Sequence, residues 1–423
     1  MNIWKEYKFS DFVEINPKVA LKKGIEYSFV EMKDLSDENK FVTPLQKRTL
    51  TGGSRFENND TLFARITPCL ENGKIAQVKE LENGVGFGST EFLIFRGKKG
   101  VSNTDFVHYL SLSDEVRSFA EQNMVGTSGR QRVNWQAFEK LALKLPDLPT
   151  QTAIAEILSS IDDKIELNNK INQELENLAQ TLFKQWFIDF EFPNENGEPY
   201  KSSGGEMVEN ELGEIPKGWK IQSLEGIAEL VRGISYRKHE LVLKEEGVPF
   251  VNLKCFALDG TFRQDGLKYF NGKFKDSHVI QSDDILVAVT DLTQDRLVIG
   301  LPIVWQNDDL ALPSLDVCII RPQEKILKDF LLYEFKTHRY KSRIIEFANG
   351  STVLHLSVKG LETYEIGIPS IDLLSQWSEI VKPILKSIGD NVKENQQLTN
   401  LRDTLLPKLI SGELEVLQTQ TTA

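Results

Sequence analysis

Two carboxylates and a lysine near the middle of the chain have a spacing that could hold a divalent cation. Pro146-Asp147 precedes Asp162-Asp163-Lys164, which loosely fits the PD…(D/E)xK pattern of a Mg²⁺ site, in which carboxylates converge from a sheet. Asp162 and Lys164, however, lie in a segment with the apolar spacing of a helix. The sequence therefore favours charged side chains on the solvated flank of a helix over a nuclease centre.

Basic side chains on glycine-rich stretches form a second group, for which the relevant chemistry is contact with nucleic acid. Arginine, lysine and tyrosine on such loops are residue types that bind phosphates and base edges. The alternative is that these stretches are ordinary solvated loops. The candidate DNA-binding residues are Arg48, Arg55, Arg130 and Arg132 in the first half, and Arg232, Tyr236, Arg237 and Lys238 in the second.

Other catalytic patterns do not occur in the sequence. It has no GxxxxGK[ST] phosphate loop, no GxGxxG between a strand and a helix, no GxSxG elbow and no Asn-Pro-Pro-aromatic stretch. The histidines lack metal-ligand spacing, and Cys69, Cys255 and Cys318 form no CxxC. The charge pair close to Met1 predicts that no signal peptide is present, and the longest apolar run, 297–305, is too short to span a bilayer. We expect a cytoplasmic protein without a metal site.

The elements that position these residues occur twice in the same order. Trp4-Lys5 matches Trp219-Lys220, and Asp60 precedes an apolar run as Asp284 does 224 residues later. Asp105-Phe106 matches Asp329-Phe330 with the same offset. A collinear series of this kind predicts a tandem duplication of one unit of about 220 residues.

Each copy divides into a part with short β-like runs and turns and a part with a long helical pattern. The predicted fold is α+β, or mixed α/β, with a duplicated globular domain and two long helices. The predicted boundaries are 1–148 and 218–370 for the α/β domains, 149–190 and 371–414 for the helices, 191–217 for a Gly-, Pro- and Ser-rich linker, and 415–423 for a tail.

The helical parts carry apolar residues in alternating steps of four and three, which is the heptad pattern of a coiled coil. Asn168 and Asn395 fall on the same position of the two seams, where a polar residue specifies register. Two seams in one chain predict that the helices pair with each other. Pro383 and Pro407 predict a kink or an early end of the second helix.

The net charge of −12 is distributed unevenly. Residues 1–150 carry +1, 151–218 carry −9, 219–369 carry −2 and 370–423 carry −2. The acidic excess therefore belongs mainly to the first helix and the linker. The nearly neutral α/β domains can still present basic faces, because the local field depends on how charges are arranged.

Four stretches of the sequence resemble the specificity subunit of type I restriction–modification systems. They cover the helical regions and the linker, while the order and duplication extend the likeness to essentially the whole chain. The stretches are Leu145-Pro-Asp-Leu-Pro-Thr-Gln151 with Ile154-Ala-Glu-Ile-Leu158, Thr181-Leu-Phe-Lys-Gln-Trp-Phe-Ile-Asp-Phe190, Leu212-Gly-Glu-Ile-Pro-Lys-Gly-Trp219 and Leu405-Leu-Pro-Lys-Leu-Ile-Ser-Gly-Glu-Leu414.

The resemblance implies two target-recognition domains, each of which reads one half of a split double-stranded DNA site. It implies an antiparallel coiled coil that spaces the domains and docks two methyltransferase subunits, with restriction (translocase) subunits joining that assembly. The subunit itself then has no catalytic site and no cofactor; S-adenosylmethionine, ATP and Mg²⁺ serve its partners. The expected spacer and docking residues are Ile161, Ile165, Asn168, Leu175, Ile388, Val392 and Asn395.

Three alternatives remain at this stage. The chain could be a coiled-coil scaffold whose α/β domains bind protein, or a nuclease that uses Asp147, Asp162 and Lys164. It could also belong to a fused restriction–methylation enzyme. If the acidic first helix meets a basic methyltransferase surface, reversing the charges of Glu166, Glu174 and Glu176 should weaken assembly.

Overall fold

A computed structural model describes residues 4–36, 39–127, 129–258, 260–305 and 309–416 of the chain. Most of the predicted tail, 417–423, lies outside the described residues, as does Ser128 in the basic stretch before Arg130. The chain divides into two compact units, which we call unit 1 (1–170 and 391–423) and unit 2 (171–390). Both divisions fall inside the long helices, so each unit combines an α/β domain with a segment of both helices.

Unit 1 contains strands and helices in an alternating order. Its strands are β1 (Lys5–Lys8), β2 (Val13–Ile15), β3 (Glu26–Val30), β4 (Phe41–Val42), β5 (Gln46–Thr49), β6 (Ser54–Glu57), β7 (Thr61–Ala64), β8 (Ile75–Val78), β9 (Val85–Gly88), β10 (Phe92–Gly97), β11 (Met124–Val125), β12 (Arg132–Val133) and β13 (Ala142–Leu145). Its helices are α1 (Phe9–Phe12), α2 (Thr104–Leu112), α3 (Asp114–Gln122) and the first segment of the long helix α4 (Leu148–Phe183).

Two larger sheets organise the α/β domain of unit 1. One has the order β2-β10-β7-β8-β4, and the other has the order β5-β3-β9-β6. The central strands β7 and β10 are apolar runs that are buried along most of their length, as expected for strands covered on both faces. Phe63 and Phe95 pack against each other in the core with ring centroids 5.1 Å apart, and Leu158 of α4 belongs to the same cluster.

Unit 2 repeats this series of elements. Its strands are β14 (Met207–Asn210), β15 (Gly213–Pro216), β16 (Lys220–Ser223), β17 (Ala228–Arg232), β18 (Leu241–Val242), β19 (Val248–Val251), β20 (Lys268–Phe270), β21 (Ile285–Ala288), β22 (Thr290–Asp291), β23 (Pro302–Ile303), β24 (Leu312–Pro313), β25 (Val317–Pro322), β26 (Ala348–Asn349), β27 (Leu354–Leu356) and β28 (Glu365–Ile368). Its helices are α5 (Leu224–Ile227), α6 (Leu327–Glu334), α7 (His338–Ile345), α8 (Val358–Glu362) and the first segment of the long helix α9 (Ile371–Ser411).

The sheets of unit 2 confirm the predicted duplication. The order β17-β25-β21-β23 corresponds to β2-β10-β7-β8, and β18-β20-β19-β24 is again a four-stranded sheet. In both α/β domains the first strand pairs antiparallel with the last, β1 with β13 and β16 with β28, so that Lys5 lies opposite Leu145 and Lys220 opposite Ile368. One framework has therefore been built twice from diverged sequences.

The repeat also preserves an ion pair between a half-buried arginine of the central strand, β10 or β25, and a buried aspartate of the turn before the neighbouring strand, β7 or β21. Arg96 donates two hydrogen bonds to Asp60 at 2.6 and 2.7 Å, and Arg321 donates two to Asp284, both at 2.8 Å. Each aspartate also accepts a backbone N–H three residues earlier, at Glu57 in unit 1. The contact with Asp60 raises the pKa of Arg96. These aspartates thus fix a turn at a strand start, as their position predicts, and they brace the sheet.

The long helix α9 is continuous from Ile371 to Ser411, so of the two predicted irregularities the early end is wrong, while the kink stays a prediction. Pro383 and Pro407 lie on exposed positions, and each removes one backbone donor from the helix. The carbonyls that lose their helical partner belong to the exposed residues Glu379 and Asp403, where water can replace the missing bond. The first helix α4 ends in a π-helical turn over Lys184–Ile188.

The predicted seams are buried within their units. Ile161 and Ile165 of α4 are buried, and Asn168 is fully buried. Asn168 donates to Asn395 Oδ1 of α9 at 2.8 Å and to Glu394 at 2.7 Å, so the two helix segments of unit 1 pair through the predicted register position. Of the remaining seam residues, Ile388 is buried and Leu175, Val392 and Asn395 are half-buried.

The segment predicted as a linker is folded onto unit 2. Its composition indicates a solvated connection, but β14 and β15 form a hairpin within it. Phe192 stacks on Tyr200 with a centroid distance of 4.6 Å, and Ile215 joins the unit 2 core. A few apolar residues therefore order a stretch that is otherwise polar.

Candidate nucleic-acid interface

A cleft of about 530 Å³ in unit 1 brings together basic side chains from three separate segments of the chain. Lys18, Arg55 and Arg65 line it, and its lining residues include no carboxylate. Its polar lining also comes from Asn16, Ser54 and Thr90. A concave surface of one charge sign raises the local concentration of an oppositely charged ligand, and this cleft is therefore suited to a polyanion.

The backbone at the edge of the cleft is held by a close strand contact. Arg55 lies on β6, opposite Phe87 of β9, and its Nη1 donates to the carbonyl of Val19 at 3.3 Å. Gly53 precedes this strand with φ of 116°, and a Cβ there would lie 2.2 Å from the Gly88 oxygen. Only glycine permits this turn, which explains the glycine pair before Arg55.

A cluster of two arginines and one glutamate adjoins the cleft. Arg132 donates to Glu91 through Nε and Nη2 at 2.9 Å, and Arg65 donates through Nε at 3.3 Å. The contact with Arg132, reinforced by Arg65, lowers the pKa of Glu91. Glu91 therefore stays ionised and holds both guanidinium groups in fixed positions.

The other candidates of the first half lie apart from this cluster. Arg48 is on β5, at the edge of the four-stranded sheet opposite to β6, and it pairs with Glu31 and stacks on the Phe29 ring at 4.2 Å. Three strand spacings of about 4.8 Å separate β5 from β6. Arg130 is exposed on the loop before β12. The structure thus brings Arg55 near Arg65, but places Arg48 at a distance.

In unit 2 the candidates lie together on the loop between β17 and β18. Arg232 ends β17 and is exposed, as are Arg237 and Lys238. Tyr236 is half-buried and packs edge-on against Phe250 with centroids 5.3 Å apart. Gly233 is required at the start of the loop, because a Cβ there would lie 2.0 Å from the Ser314 oxygen. Contact between these residues and DNA stays a prediction.

Sequence reasoning missed Lys18, Arg65 and the role of Glu91. Arg65 follows the buried strand β7 directly and has no glycine beside it, so a search for glycine-rich basic loops passes over it. A usable signal was its place in the repeat, because residues that follow a framework strand are positioned by that strand.

The carboxylates considered for a nuclease do not converge. Asp147 accepts the backbone N–H of Thr150 at the start of α4, and Asp162 lies fifteen residues along the chain, which is about 22 Å along a helix. Asp162 is not on a solvated flank, as the sequence indicated; it is buried and accepts from Arg402 and Tyr109. Lys164 binds Asn168 and Glu394.

The described part of the chain contains neither a metal-binding cluster nor a membrane-spanning helix. Within it, no group of three or more His, Cys, Asp or Glu side chains is arranged to hold a metal ion. None of its helices combines the length and the apolar character that crossing a membrane requires.

The fold and this cleft define a duplicated α/β protein with a basic groove and two long helices, and comparison with known proteins is consistent with that class. Residues 1–177 match the model of a family described as type I restriction modification DNA specificity domain. The type I restriction enzyme HindI specificity subunit of Haemophilus influenzae is 25% identical, over 98% of this chain and 100% of the relative. The MjaIX specificity subunit of Methanocaldococcus jannaschii is 26% identical, over 98% of this chain and 94% of the relative.

Among solved structures, the fold is similar to that of the S subunit of a type I restriction-modification system from M. genitalium. The TM-score is 0.52 at 16% identity, over 97% of this chain and 96% of that one. The predicted mixed α/β architecture with long helices is confirmed. The resemblance to type I specificity subunits predicted from the sequence is confirmed as well, by the family match and by relatives that align with nearly the whole chain.

Proposed function

We propose that this chain is the DNA-recognition subunit of a cytoplasmic type I restriction–modification complex and carries no catalytic centre of its own. Each α/β domain reads one half of a bipartite double-stranded site. The observation that carries the proposal is the unit 1 cleft, which has three cationic side chains and no carboxylate among its lining residues. Cations in such a cleft supply the phosphate contacts that position a protein on a duplex.

The duplication supports two separate reading sites. The braces Asp60–Arg96 and Asp284–Arg321 show that the framework is the same in both units. The side chains that follow the strands of this framework differ between the copies. Unit 1 has Lys18 and Arg65, whereas unit 2 has Arg232 and Arg237. A conserved scaffold with different loop side chains is suited to reading two different half-sites.

Methylome sequencing tests this function. A strain with the chain and its methyltransferase should methylate a bipartite motif that disappears when the gene is deleted. Exchange of residues 1–148 for the same region of another specificity subunit should alter one half of the motif only. A motif that survives deletion, or one that changes in both halves after the exchange, contradicts the proposal.

In this proposal the partners are two methyltransferase subunits and the restriction subunits, which use S-adenosylmethionine, ATP and Mg²⁺. The seam residues predicted to dock them are buried or half-buried within the chain. We propose instead that docking uses aliphatic side chains that the long helices expose, because exposed apolar surface marks interaction sites. They are Ile157, Leu167 and Leu401 in unit 1, and Ile171, Leu178 and Ile380 in unit 2.

The docking proposal is tested by two matched substitutions on one turn of α4. Leu178 is 49% exposed and Glu174 is exposed one turn before it. Leu178→Gln should reduce co-purification of the methyltransferase, whereas Glu174→Gln should leave it unchanged. The reverse result favours acidic attraction. Glu176 is unsuitable for the charge-reversal test predicted from the sequence, because it is buried against Lys336.

A further inference from the structure

The geometry of unit 1 points to a residue that determines which base is read. We propose that Arg65 reads a guanine in the half-site of unit 1 through its two terminal nitrogens, and that Glu91 acts as its positioning residue. This inference rests on the proposed DNA-recognition function and names the specificity-determining contact within it.

The first observation is how the Arg65 side chain is engaged. Its Nε donates to Glu91 Oε2 at 3.3 Å, and the side chain is 29% exposed where it lines the cleft. Among the described residues, neither terminal nitrogen of Arg65 has a hydrogen-bond partner. The end of the guanidinium that faces away from Glu91 is therefore available to a ligand.

The second observation is that Arg65 is fixed before any ligand arrives. Its backbone N–H donates to the Glu91 carbonyl at 3.0 Å, and its carbonyl accepts from Val133 at 2.9 Å. Glu91 is itself held by Arg132, which uses Nε and Nη2 on the carboxylate. A side chain held in this way loses little conformational entropy on binding, so its contact discriminates more sharply than that of a mobile arginine.

The third observation is that the reading group differs between the two copies while the framework does not. In unit 1 the backbone of Arg132 pairs with that of Ile66. In unit 2 the backbone of His355 pairs in the same way with that of Thr290, so Arg132 and His355 are equivalent positions. The positions of Arg65, Glu91 and Arg132 are there taken by Val289, Asp316 and His355. Val289 is buried. Side chains that change at equivalent positions of two recognition domains are the expected carriers of different base preferences.

The chemistry of the free end selects guanine. Two neighbouring N–H groups of a guanidinium match the O6 and N7 acceptors that guanine presents in the major groove. Adenine replaces one of these acceptors with an amino donor, which faces the guanidinium unfavourably. Lys18, exposed on the rim of the same cleft, is placed for the phosphate contact that accompanies a base contact.

Methylome sequencing with Arg65→Lys tests the assignment in the complete complex. This variant keeps the positive charge and the aliphatic stem, but it loses the planar guanidinium that can donate two parallel hydrogen bonds. One G·C position, in the half-site that exchange of 1–148 identifies, should become degenerate, with discrimination falling roughly ten- to a hundredfold. Glu91→Gln should relax the same position to a smaller extent, because it retains the shape and loses the charge that holds Nε.

Two control variants separate base reading from phosphate contact. Lys18→Ala should lower the affinity for all DNA sites equally. It should also reduce by about one unit the slope of the logarithm of the DNA-binding constant against the logarithm of the salt concentration. Lys144→Ala, an exposed lysine on β13 that does not line the cleft, should change neither the motif nor the slope. If Arg65→Lys behaves as Lys18→Ala does, or leaves the motif unaltered, the base-reading assignment is wrong.

The outcomes also distinguish this inference from the function on which it rests. If the unsubstituted chain directs no bipartite methylation, the proposed function fails, whatever Arg65 does. If the bipartite motif is present and Arg65→Lys leaves it unaltered, only the Arg65 assignment fails. Equal thermal unfolding of Arg65→Lys and the unsubstituted chain excludes misfolding as the cause of a relaxed motif.

Discussion

In each unit, a tyrosine at the same position of the repeat joins the α/β domain to a carboxylate of a long helix. The cation that pairs with this carboxylate differs between the two units. In unit 1, Tyr109 donates to Asp162 Oδ2 at 2.5 Å, and Arg402 of α9 donates to the other oxygen at 2.9 Å. In unit 2, Tyr333 donates to Glu176 at 3.2 Å, and Lys336 donates to the same carboxylate at 2.7 Å. Burial raises the pKa of both tyrosines.

The difference teaches that both junctions pair a buried carboxylate with a cation but take that cation from different parts of the fold. The cation of unit 1 comes from a long helix, whereas Lys336 of unit 2 lies in the connection between α6 and α7 of the α/β domain. The positions of Asp162 and Arg402 correspond in the repeat to Gly389 and Leu175. A buried ion pair adds to stability only when both partners are present, so either solution can replace the other during divergence.

The largest expected effect follows from removal of the unit 1 cation. Arg402→Leu leaves Asp162, which is 4% exposed, as a buried charge with only Tyr109 and its local contacts. We expect a loss of about 3–5 kcal/mol in the free energy of unfolding of unit 1, measured by denaturant titration of the full chain. A loss below about 1 kcal/mol would indicate that the pair is not essential to the junction.

A double variant sharpens this comparison by giving unit 1 uncharged residues at this junction, as unit 2 has at the corresponding positions Gly389 and Leu175. Asp162→Ala with Arg402→Leu removes both charges, so most of the loss should be recovered. The coupling energy from the double-mutant cycle measures how much of the effect is due to the unpaired charge. No recovery would mean that Arg402 acts through packing.

A smaller effect is expected at the unit 2 junction. Lys336→Met keeps the aliphatic stem and removes the cation, while Glu176 still accepts from Tyr333 and Gln180. Because these two hydrogen bonds remain, we expect a loss of about 1.5–3 kcal/mol, the range for a hydrogen bond to a charged group. Amide hydrogen exchange should become faster in α6 of unit 2 and should stay unchanged in α2 of unit 1.

The smallest effect is expected at the polar centre of the helix pair in unit 1. Asn168→Ala removes the side chain that binds Asn395 and Glu394, whose positions near solvent allow partial hydration. The expected loss is about 1–2 kcal/mol. Asn168→Leu with Asn395→Leu should instead raise stability and reduce register specificity, which mixed disulfide cross-linking of paired cysteine variants along the helices would detect.

Much of the architecture was predictable because it depends on local pattern. The repeat of Asp60 and Asp284, the apolar runs of β10 and β25, and the heptad steps of both helices each specify an element without reference to distant residues. The candidate interface was predicted only in part. Arg55 lies in the cleft, but Arg48 lies away from it, since glycine-rich basic loops on separate strands need not meet.

The sequence by itself determined the duplication, the two long helices and the residues of their seams, because periodicity and collinear repetition depend only on order along the chain. Only the tertiary structure decided that Arg402 is buried against Asp162, and that Arg65 keeps its terminal nitrogens open beside Glu91. Both outcomes depend on which charges meet after folding. Segments far apart in sequence supply those charges, and no local pattern encodes their distance.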